Sequence, residues 1–74
     1  MVTLYTLPTC GICNMVKTKL LQNNIPFEEK NFSEIVDRIK SDRAPALEVT
    51  DSANNITIYN SPTEIVKWIN EYGE

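Results

Sequence analysis

The sequence predicts an α/β fold, in which one mixed four-stranded sheet carries helices on both faces in the order β-α-β-α-β-β-α. Near the N-terminus, a helical pattern lies between two short strand-like segments, which indicates a parallel, right-handed βαβ unit. Two alternating segments in the second half, residues 46–50 and 56–60, indicate an antiparallel hairpin. A single sheet between helices buries the apolar stripes of all the predicted helices.

Length and composition predict one globular domain over residues 1–74. A chain of 74 residues has a small core. Its hydrophobic content of 42% and charged content of 23% are ordinary for a folded soluble domain. The net charge of −3 provides no basic surface for nucleic acid, and no apolar run is long enough to span a membrane. The N-terminus lacks the pattern of a signal peptide, so we expect a cytoplasmic protein without nucleic-acid or membrane partners.

The first three elements follow from a change in periodicity. Val2–Thr6 alternates and is rich in β-forming residues, and Pro8 ends this strand. A helical period begins at Gly11 and ends at Asn23-Asn24, and residues 26–32 form a second short strand. The predicted buried face of this helix comprises Ile12, Met15, Val16 and Leu20.

The second helix and the hairpin are predicted from shorter signals. Asn31 or Ser33 can cap the helix. Residues 41–45, "SDRAP", are predicted to form a loop before the hairpin. The predicted buried face of the second helix comprises Phe32, Ile35, Val36 and Ile39.

The stretch "SPTE" predicts the start of the last helix. Ser61 suits the N-cap, Pro62 suits the first helical position, and Glu64 completes a capping box. The predicted buried stripe of this helix comprises Ile65, Trp68, Ile69 and Tyr72.

The two cysteines, Cys10 and Cys13, lie where the first strand gives way to the first helix. The sulfur of Cys10 can face the unpaired N–H groups of the first turn, and these donors and the helix dipole favour a thiolate. Cys13 is one turn further along, close enough to pair with Cys10 but beneath the helix. This placement predicts an exposed nucleophilic sulfur and a sheltered resolving sulfur, as in a redox C-x-x-C motif.

Three other interpretations of the cysteines fit less well. Two small buried apolar side chains would be the usual interpretation of a lone cysteine, but a C-x-x-C pair at a strand-to-helix junction favours the redox one. A purely structural disulfide would stabilise the fold little, because the loop between Cys10 and Cys13 is short and the entropic stabilisation from a disulfide grows with loop length. A zinc site wants four ligands, and the chain has two cysteines and no histidine. The alternative function is therefore a non-catalytic dimer whose two chains share zinc or an iron–sulfur cluster through Cys10 and Cys13. The lack of histidine also excludes a Cys–His catalytic dyad.

Taken together, these residues resemble the glutaredoxins of the thioredoxin superfamily. The resemblance lies in the strand "VTLYT" leading into Cys10-Gly11-Ile12-Cys13, in Ala44-Pro45 before a strand, and in the capped last helix. It covers essentially the whole chain and implies a thioredoxin-like fold. It also implies that Pro45 is cis and faces the dithiol, and that the backbone of Ala44 pairs with an extended substrate by strand addition.

The chain departs from the glutaredoxin pattern at several positions. Gly11-Ile12 stand where the family commonly has Pro-Tyr, and Leu7 replaces a basic residue. Asn60-Ser61 align with a Gly-Gly pair, and Thr63-Glu64 align with a Ser/Thr-Asp pair. In the family these last positions hold the carboxylate and amine of glutathione, so we expect weak use of glutathione. Gly11, Ile12, Ala44, Pro45, Thr63 and Glu64 are the predicted substrate-binding residues.

The predicted activity is that of a small, monomeric dithiol–disulfide oxidoreductase. Cys10 attacks a disulfide of a protein or a small molecule, and Cys13 resolves the mixed disulfide. No bound cofactor or metal is expected, because the dithiol itself carries both electrons. Glutathione or a thioredoxin-type reductase would recharge it, and the resemblance suggests a ribonucleotide reductase as one protein substrate.

Overall fold

The predicted order of elements is found in the computed structural model, which describes residues 1–40 and 43–72. The predicted loop at residues 41–45 lies partly outside the described residues. The elements are β1 (Val2–Thr6), α1 (Gly11–Gln22), β2 (Glu28–Asn31), a 3-10 turn (Phe32–Glu34), α2 (Val36–Ile39), β3 (Ala46–Thr50), β4 (Ile56–Tyr59) and α3 (Pro62–Tyr72). None of the helices in these ranges is long and apolar enough to cross a lipid bilayer.

The four strands form one mixed sheet in the order β2-β1-β3-β4. β1 and β2 are parallel, whereas β3 is antiparallel to both β1 and β4. The predicted βαβ unit and hairpin are therefore confirmed. In the β1–β3 pair, Tyr5 lies opposite Ala46. This register brings the loop before β3 beside the end of β1, where the two cysteines follow.

The core lies on both faces of the sheet, as predicted. The cluster beneath α1 and α3 consists of Val2, Leu4, Val16, Leu20, Ile25, Leu47, Ile65 and Ile69. The cluster on the other face consists of Tyr5, Phe32, Ile35 and Ala46. Alternate residues of β1 and β3 enter different clusters because successive strand side chains point to opposite faces.

The predicted buried face of α1 is wrong at two positions. Ile12 is 50% exposed and Met15 is 44% exposed, whereas Cys13 is buried together with Val16 and Leu20. Ile12 and Met15 each precede a buried residue by one position, which rotates them by about 100° away from the core. Cys13 packs as a small apolar side chain and completes the buried stripe.

The segment predicted as the second helix is shorter and less regular. Asn31 caps a 3-10 turn, since its Oδ1 accepts a hydrogen bond from the Ser33 N–H at 2.9 Å. Helix α2 follows with only four residues. Phe32 and Ile35 are buried as predicted, and Val36 and Ile39 pack against their cluster half-buried.

Helix α3 begins at Pro62, as "SPTE" predicts. The Ser61 carbonyl accepts the first helical hydrogen bond, from the Ile65 N–H at 2.9 Å. The side-chain bonds of a capping box stay a prediction. Ile65 and Ile69 are buried, and Trp68 is partly buried. The prediction for Tyr72 is wrong: it is 50% exposed, and its ring contacts that of Trp68 in a tilted arrangement, with centroids 5.2 Å apart and planes at 46°.

Candidate active site

Cys10 occupies the N-cap of α1, and its sulfur is already used as a helix cap. Its backbone is extended, with φ −96° and ψ 109°, and its Sγ accepts a hydrogen bond from the Cys13 N–H at 3.0 Å. The first turn of α1 contains no acidic residue. When the disulfide is reduced, the Cys13 N–H, which has no partner within the helix, and the positive end of the helix dipole both stabilise negative charge on the Cys10 sulfur.

Cys13 lies one turn further along α1 and is joined to Cys10 by a disulfide. The two Cα atoms are 5.2 Å apart, within the usual range for a disulfide. Cys13 is only 1% exposed, whereas Cys10 is half-buried. The pair therefore presents one accessible sulfur and one sheltered sulfur.

The loop before β3 forms the wall opposite the cysteines. The Ala44–Pro45 peptide bond is cis, as the resemblance implies, and Pro45 is fully buried. Ala44 is half-buried and lies beside Cys10 in a surface groove.

This groove, called the Cys10 groove below, has a volume of about 460 Å³. Three parts of the chain converge on it: the start of α1, the loop before β3 and the start of α3. Its lining residues are Leu7, Cys10, Ile12, Arg43, Ala44, Asn60, Ser61 and Pro62. Arg43 is the one charged side chain among the described lining residues, so the groove combines an apolar rim with a single cation.

The structure brings some of the predicted site residues together and separates others. Cys10, Ile12 and Ala44 line the Cys10 groove, and Cys13 and Pro45 are buried next to the residues that do.

Gly11, Thr63 and Glu64 are exposed and are not among the described residues that line the Cys10 groove. A Cβ added at Gly11 would meet nothing within 4 Å, so close packing does not explain this glycine. Glu64 lines a different surface depression together with Tyr59 and Trp68. The roles predicted for these three residues stay predictions.

Sequence reasoning did not identify Arg43 as part of the site. It placed Asn60 only by alignment with the Gly-Gly pair of the glutaredoxins, and it did not predict the contacts that Asn60 makes. The Asn60 Nδ2 donates hydrogen bonds to the backbone carbonyls of Arg43 at 2.7 Å and Pro45 at 3.3 Å. The position of Arg43 directly before Ala44-Pro45 is a local signal that could have found it. No local signal predicts the hydrogen bonds of Asn60, because their acceptors lie 15 and 17 residues away in the chain.

A polar cluster lies on the α2 face of the sheet. The Tyr5 hydroxyl makes a long 3.5 Å contact to Glu48, and Glu48 forms an ion pair with Arg38 at 2.9 Å. Burial raises the pKa of the Tyr5 phenol above its usual value, and the Glu48 carboxylate adds to this effect. Tyr5 is therefore neutral at physiological pH, and none of these three residues lines the Cys10 groove.

The residues that the structure describes contain no group of three or more His, Cys, Asp or Glu side chains placed to hold a metal ion. The cysteines accordingly have no third protein ligand beside them within this part of the chain. The two sulfurs supply half of the four ligands that a structural zinc site needs.

Comparisons with known proteins agree with this geometry. The sequence profile of the glutaredoxin family matches residues 2–50. No curated protein gave a significant sequence match. Among solved structures, a trimeric glutathione transferase of Leishmania superposes with a TM-score of 0.72 at 15% identity, over 99% of this chain and 18% of that one.

The structural likeness shows the fold alone, since the identity is low and this chain spans under a fifth of the transferase chain. The sequence match carries more weight because it covers more than half of the 74 residues and includes both cysteines. With a thioredoxin-like fold and a C-x-x-C pair in a thiol-redox site, the chain belongs to the glutaredoxin family.

Proposed function

We propose that this protein is a dithiol–disulfide oxidoreductase that reduces disulfides in protein substrates. The observation that carries the proposal is the unequal environment of its two sulfurs. Cys10 faces the groove and caps α1, whereas Cys13 is buried within disulfide distance of it. A nucleophile needs access and a stabilised thiolate, and a resolving thiol needs only proximity to its partner.

The reaction consists of two exchanges. The Cys10 thiolate attacks one sulfur of the substrate disulfide, and a mixed disulfide forms as the first substrate thiolate leaves and takes up a proton. Cys13 then loses its proton and attacks the Cys10 sulfur, which releases the second substrate thiol and forms the Cys10–Cys13 disulfide. The dithiol thus gives two electrons to the substrate, and the two released thiols take one proton from Cys13 and one from the solvent. An external reductant must return the two electrons.

The surface around Cys10 supports a protein substrate. Leu7 is 38% exposed at the rim of the Cys10 groove, and Ile12 and Met15 are exposed one helical turn apart on α1. Exposed apolar side chains grouped around a reactive residue are typical of a protein-binding surface. The backbone of Ala44 adds a place where an extended substrate segment can pair by strand addition.

The same groove offers little support for glutathione as the main reductant. Asn60 and Ser61 line it where the family has small glycines, and Leu7 replaces a basic residue. Thr63 and Glu64, which align with positions that hold the glutathione amine in the family, are not among its described lining residues. We therefore propose a thioredoxin-type reductase as the electron source, with a ribonucleotide reductase as one candidate protein substrate. A cytoplasmic location and a monomeric state stay predictions.

The alternative of a dimer that binds a metal or cluster through both cysteines fits the burial less well. Cys13 is 1% exposed, so its sulfur would have to leave the core before it could reach a metal shared with a second chain. A ligand sulfur must be accessible to the metal that it binds.

A coupled assay tests the proposal. The protein is given insulin as a disulfide substrate, and NADPH consumption is followed with thioredoxin reductase in one series and with glutathione plus glutathione reductase in another. We expect turnover in the first series and much slower turnover in the second. Metal content and visible absorption of the freshly purified protein are measured in parallel. A coloured or zinc-loaded dimer without turnover in either series would contradict the proposal.

A further inference from the structure

Asn60 connects two segments that are distant in the sequence. It follows the last residue of β4, is half-buried, and lines the Cys10 groove. Its side-chain amide has two N–H groups, which can serve two acceptors at once. These donate to the carbonyls of Arg43 at 2.7 Å and Pro45 at 3.3 Å.

The two carbonyls lie on either side of Ala44. Within residues 1–40 and 43–72, the backbone N–H and C=O of Ala44 make no hydrogen bond with another backbone group. Ala44 nevertheless lies half-buried in the groove beside Cys10. Partly buried backbone groups are normally paired, so this short edge is suited to accept the backbone of an extended segment.

We infer that Asn60 is the positioning residue for this edge: by holding the carbonyls on both sides of Ala44, it orients the Ala44 peptide groups toward a substrate backbone bound in the Cys10 groove. The inference rests on the proposed function and adds a specificity to it. Asn60 touches no reacting atom. It acts only on substrates that have a peptide backbone to pair with Ala44.

A purely structural role for Asn60 makes a different prediction. If its hydrogen bonds only stabilise the fold, their loss lowers the folded fraction and slows the reduction of every disulfide equally. If they orient the edge, their loss slows the reduction of peptide disulfides alone. The ratio of the two rates separates these cases, and it does not depend on how much of a variant is folded.

The test compares Asn60→Asp and Asn60→Ala with wild-type protein. Asn60→Asp keeps the size of the side chain but replaces the NH2 group and its two donors with an acceptor oxygen, and Asn60→Ala removes the group. Each protein is reduced in advance, freed of reductant, and reacted in single-turnover mode with two probes. One probe is an extended peptide with a disulfide near its centre, and the other is bis(2-hydroxyethyl) disulfide, which has no peptide backbone.

Asn23→Asp is the matched control. The Asn23 Nδ2 also donates to a backbone carbonyl, that of Lys19 at 2.8 Å, but at the far end of α1 from the cysteines. It therefore undergoes the same chemical change, with the same kind of bond lost, away from the groove.

For both Asn60 variants we expect the second-order rate constant for the peptide to fall about tenfold, the effect of losing one or two hydrogen bonds. In Asn60→Ala the rate constant for the small disulfide should stay within about twofold. The negative charge of Asn60→Asp lowers the rates with both probes, so the ratio of the two rates is its readout, and Asn23→Asp should leave that ratio unchanged. An unchanged ratio in the Asn60 variants, with both rates falling together or neither falling, would overturn the inference while leaving the proposed function intact. Wild-type protein that reduces neither probe would overturn the proposed function and the inference with it.

Discussion

Two grooves of nearly equal size lie at opposite ends of β1, and only one of them has reactive chemistry. The Cys10 groove follows the end of β1 and has a volume of about 460 Å³. The second, called the distal groove here, lies at the start of β1 and has a volume of about 470 Å³. Its lining residues are Met1, Val2, Pro26, Phe27, Glu28, Val49, Thr50, Trp68 and Tyr72.

The difference between the two grooves lies in what converges on them. The distal groove is walled mainly by core side chains that reach the surface, such as Phe27, Val49 and Trp68. In the Cys10 groove, the N-terminus of α1 and the accessible Cys10 sulfur meet the backbone of Ala44, which makes no backbone hydrogen bond within the described part of the chain. Volume alone therefore does not identify the active site. Convergence of a reactive group with groups that stabilise and orient it does.

The largest effects are expected from replacing the sulfur of either cysteine with oxygen. Cys10→Ser should abolish turnover, because no other sulfur in the groove can attack. Cys13→Ser should keep the attack but lose the resolving step, so mixed disulfides with substrate should accumulate on Cys10. Intact-protein mass spectrometry after exposure to a disulfide substrate measures both outcomes.

Tyr72→Ala in the distal groove is the control for these variants. Tyr72 is half-exposed and lies far from the cysteines along the chain, so we expect turnover within about twofold of wild type, as for most surface substitutions. Mixed disulfides trapped on Cys13 in the Cys10→Ser variant would reverse the roles assigned to the two sulfurs. A large loss of turnover in Tyr72→Ala would show that the distal groove also takes part.

The second prediction concerns the reactivity of the two thiols in the reduced protein. The Cys10 sulfur accepts a hydrogen bond from the Cys13 N–H at the start of α1 and faces the groove, whereas Cys13 is buried. A limiting dose of iodoacetamide near neutral pH should therefore alkylate Cys10 at least about tenfold faster than Cys13. Peptide mapping gives the ratio. Comparable labelling of both cysteines in folded protein would remove the asymmetry on which the proposed mechanism depends.

Much of the fold was predictable because its signals are local. Alternating apolar and polar residues predict strands, a 3.6-residue period of apolar residues predicts α1 and α3, and the Ser61-Pro62 pair marks the start of α3. The position of Cys10 and Cys13 at a strand-to-helix junction was predictable for the same reason. These signals depend only on residues within one or two turns of each other.

The rest of the site depends on contacts between distant segments. Whether Ile12 and Met15 are buried depends on a rotation of α1 by one residue, which the periodicity of a short helix does not determine. The bonds from Asn60 to the carbonyls beside Ala44 exist because β3 and β4 pair antiparallel in one register. Neither feature has a pattern in the nearby sequence.

The third prediction tests whether the apolar rim of the Cys10 groove binds protein. Ile12→Asn should lower kcat/KM for a protein disulfide by about three- to tenfold, since it removes an exposed apolar contact next to Cys10. Leu21→Asn is the matched control. Leu21 is 60% exposed on the same helix, distant from the cysteines, and should have little effect. Equal losses in the two variants would show that the rim has no special part in substrate binding.

The smallest effect is expected at an ion pair that joins α1 to β2 and whose two residues line neither groove. The Lys17 Nζ donates to Glu29 at 2.9 Å, and the Thr6 hydroxyl donates to the same carboxylate at 3.0 Å. These hydrogen bonds, chiefly the one from Lys17, hold the pKa of the Glu29 carboxyl below its usual value. Because the folded pKa is the lower one, the stabilisation is present above the unfolded pKa and is lost as pH falls through the folded pKa.

Both side chains of this pair are well exposed, so solvent screens the interaction and limits its contribution to the free energy of unfolding to about 0.5 kcal/mol. Glu29→Gln should therefore lower stability by no more than that at neutral pH, with the difference from wild type vanishing in acid, while turnover stays unchanged. Urea denaturation at several pH values measures the first, and the coupled assay measures the second. A loss of turnover in this variant would mean that the connection between α1 and β2 also positions Cys10. Activity would then depend on contacts outside the Cys10 groove.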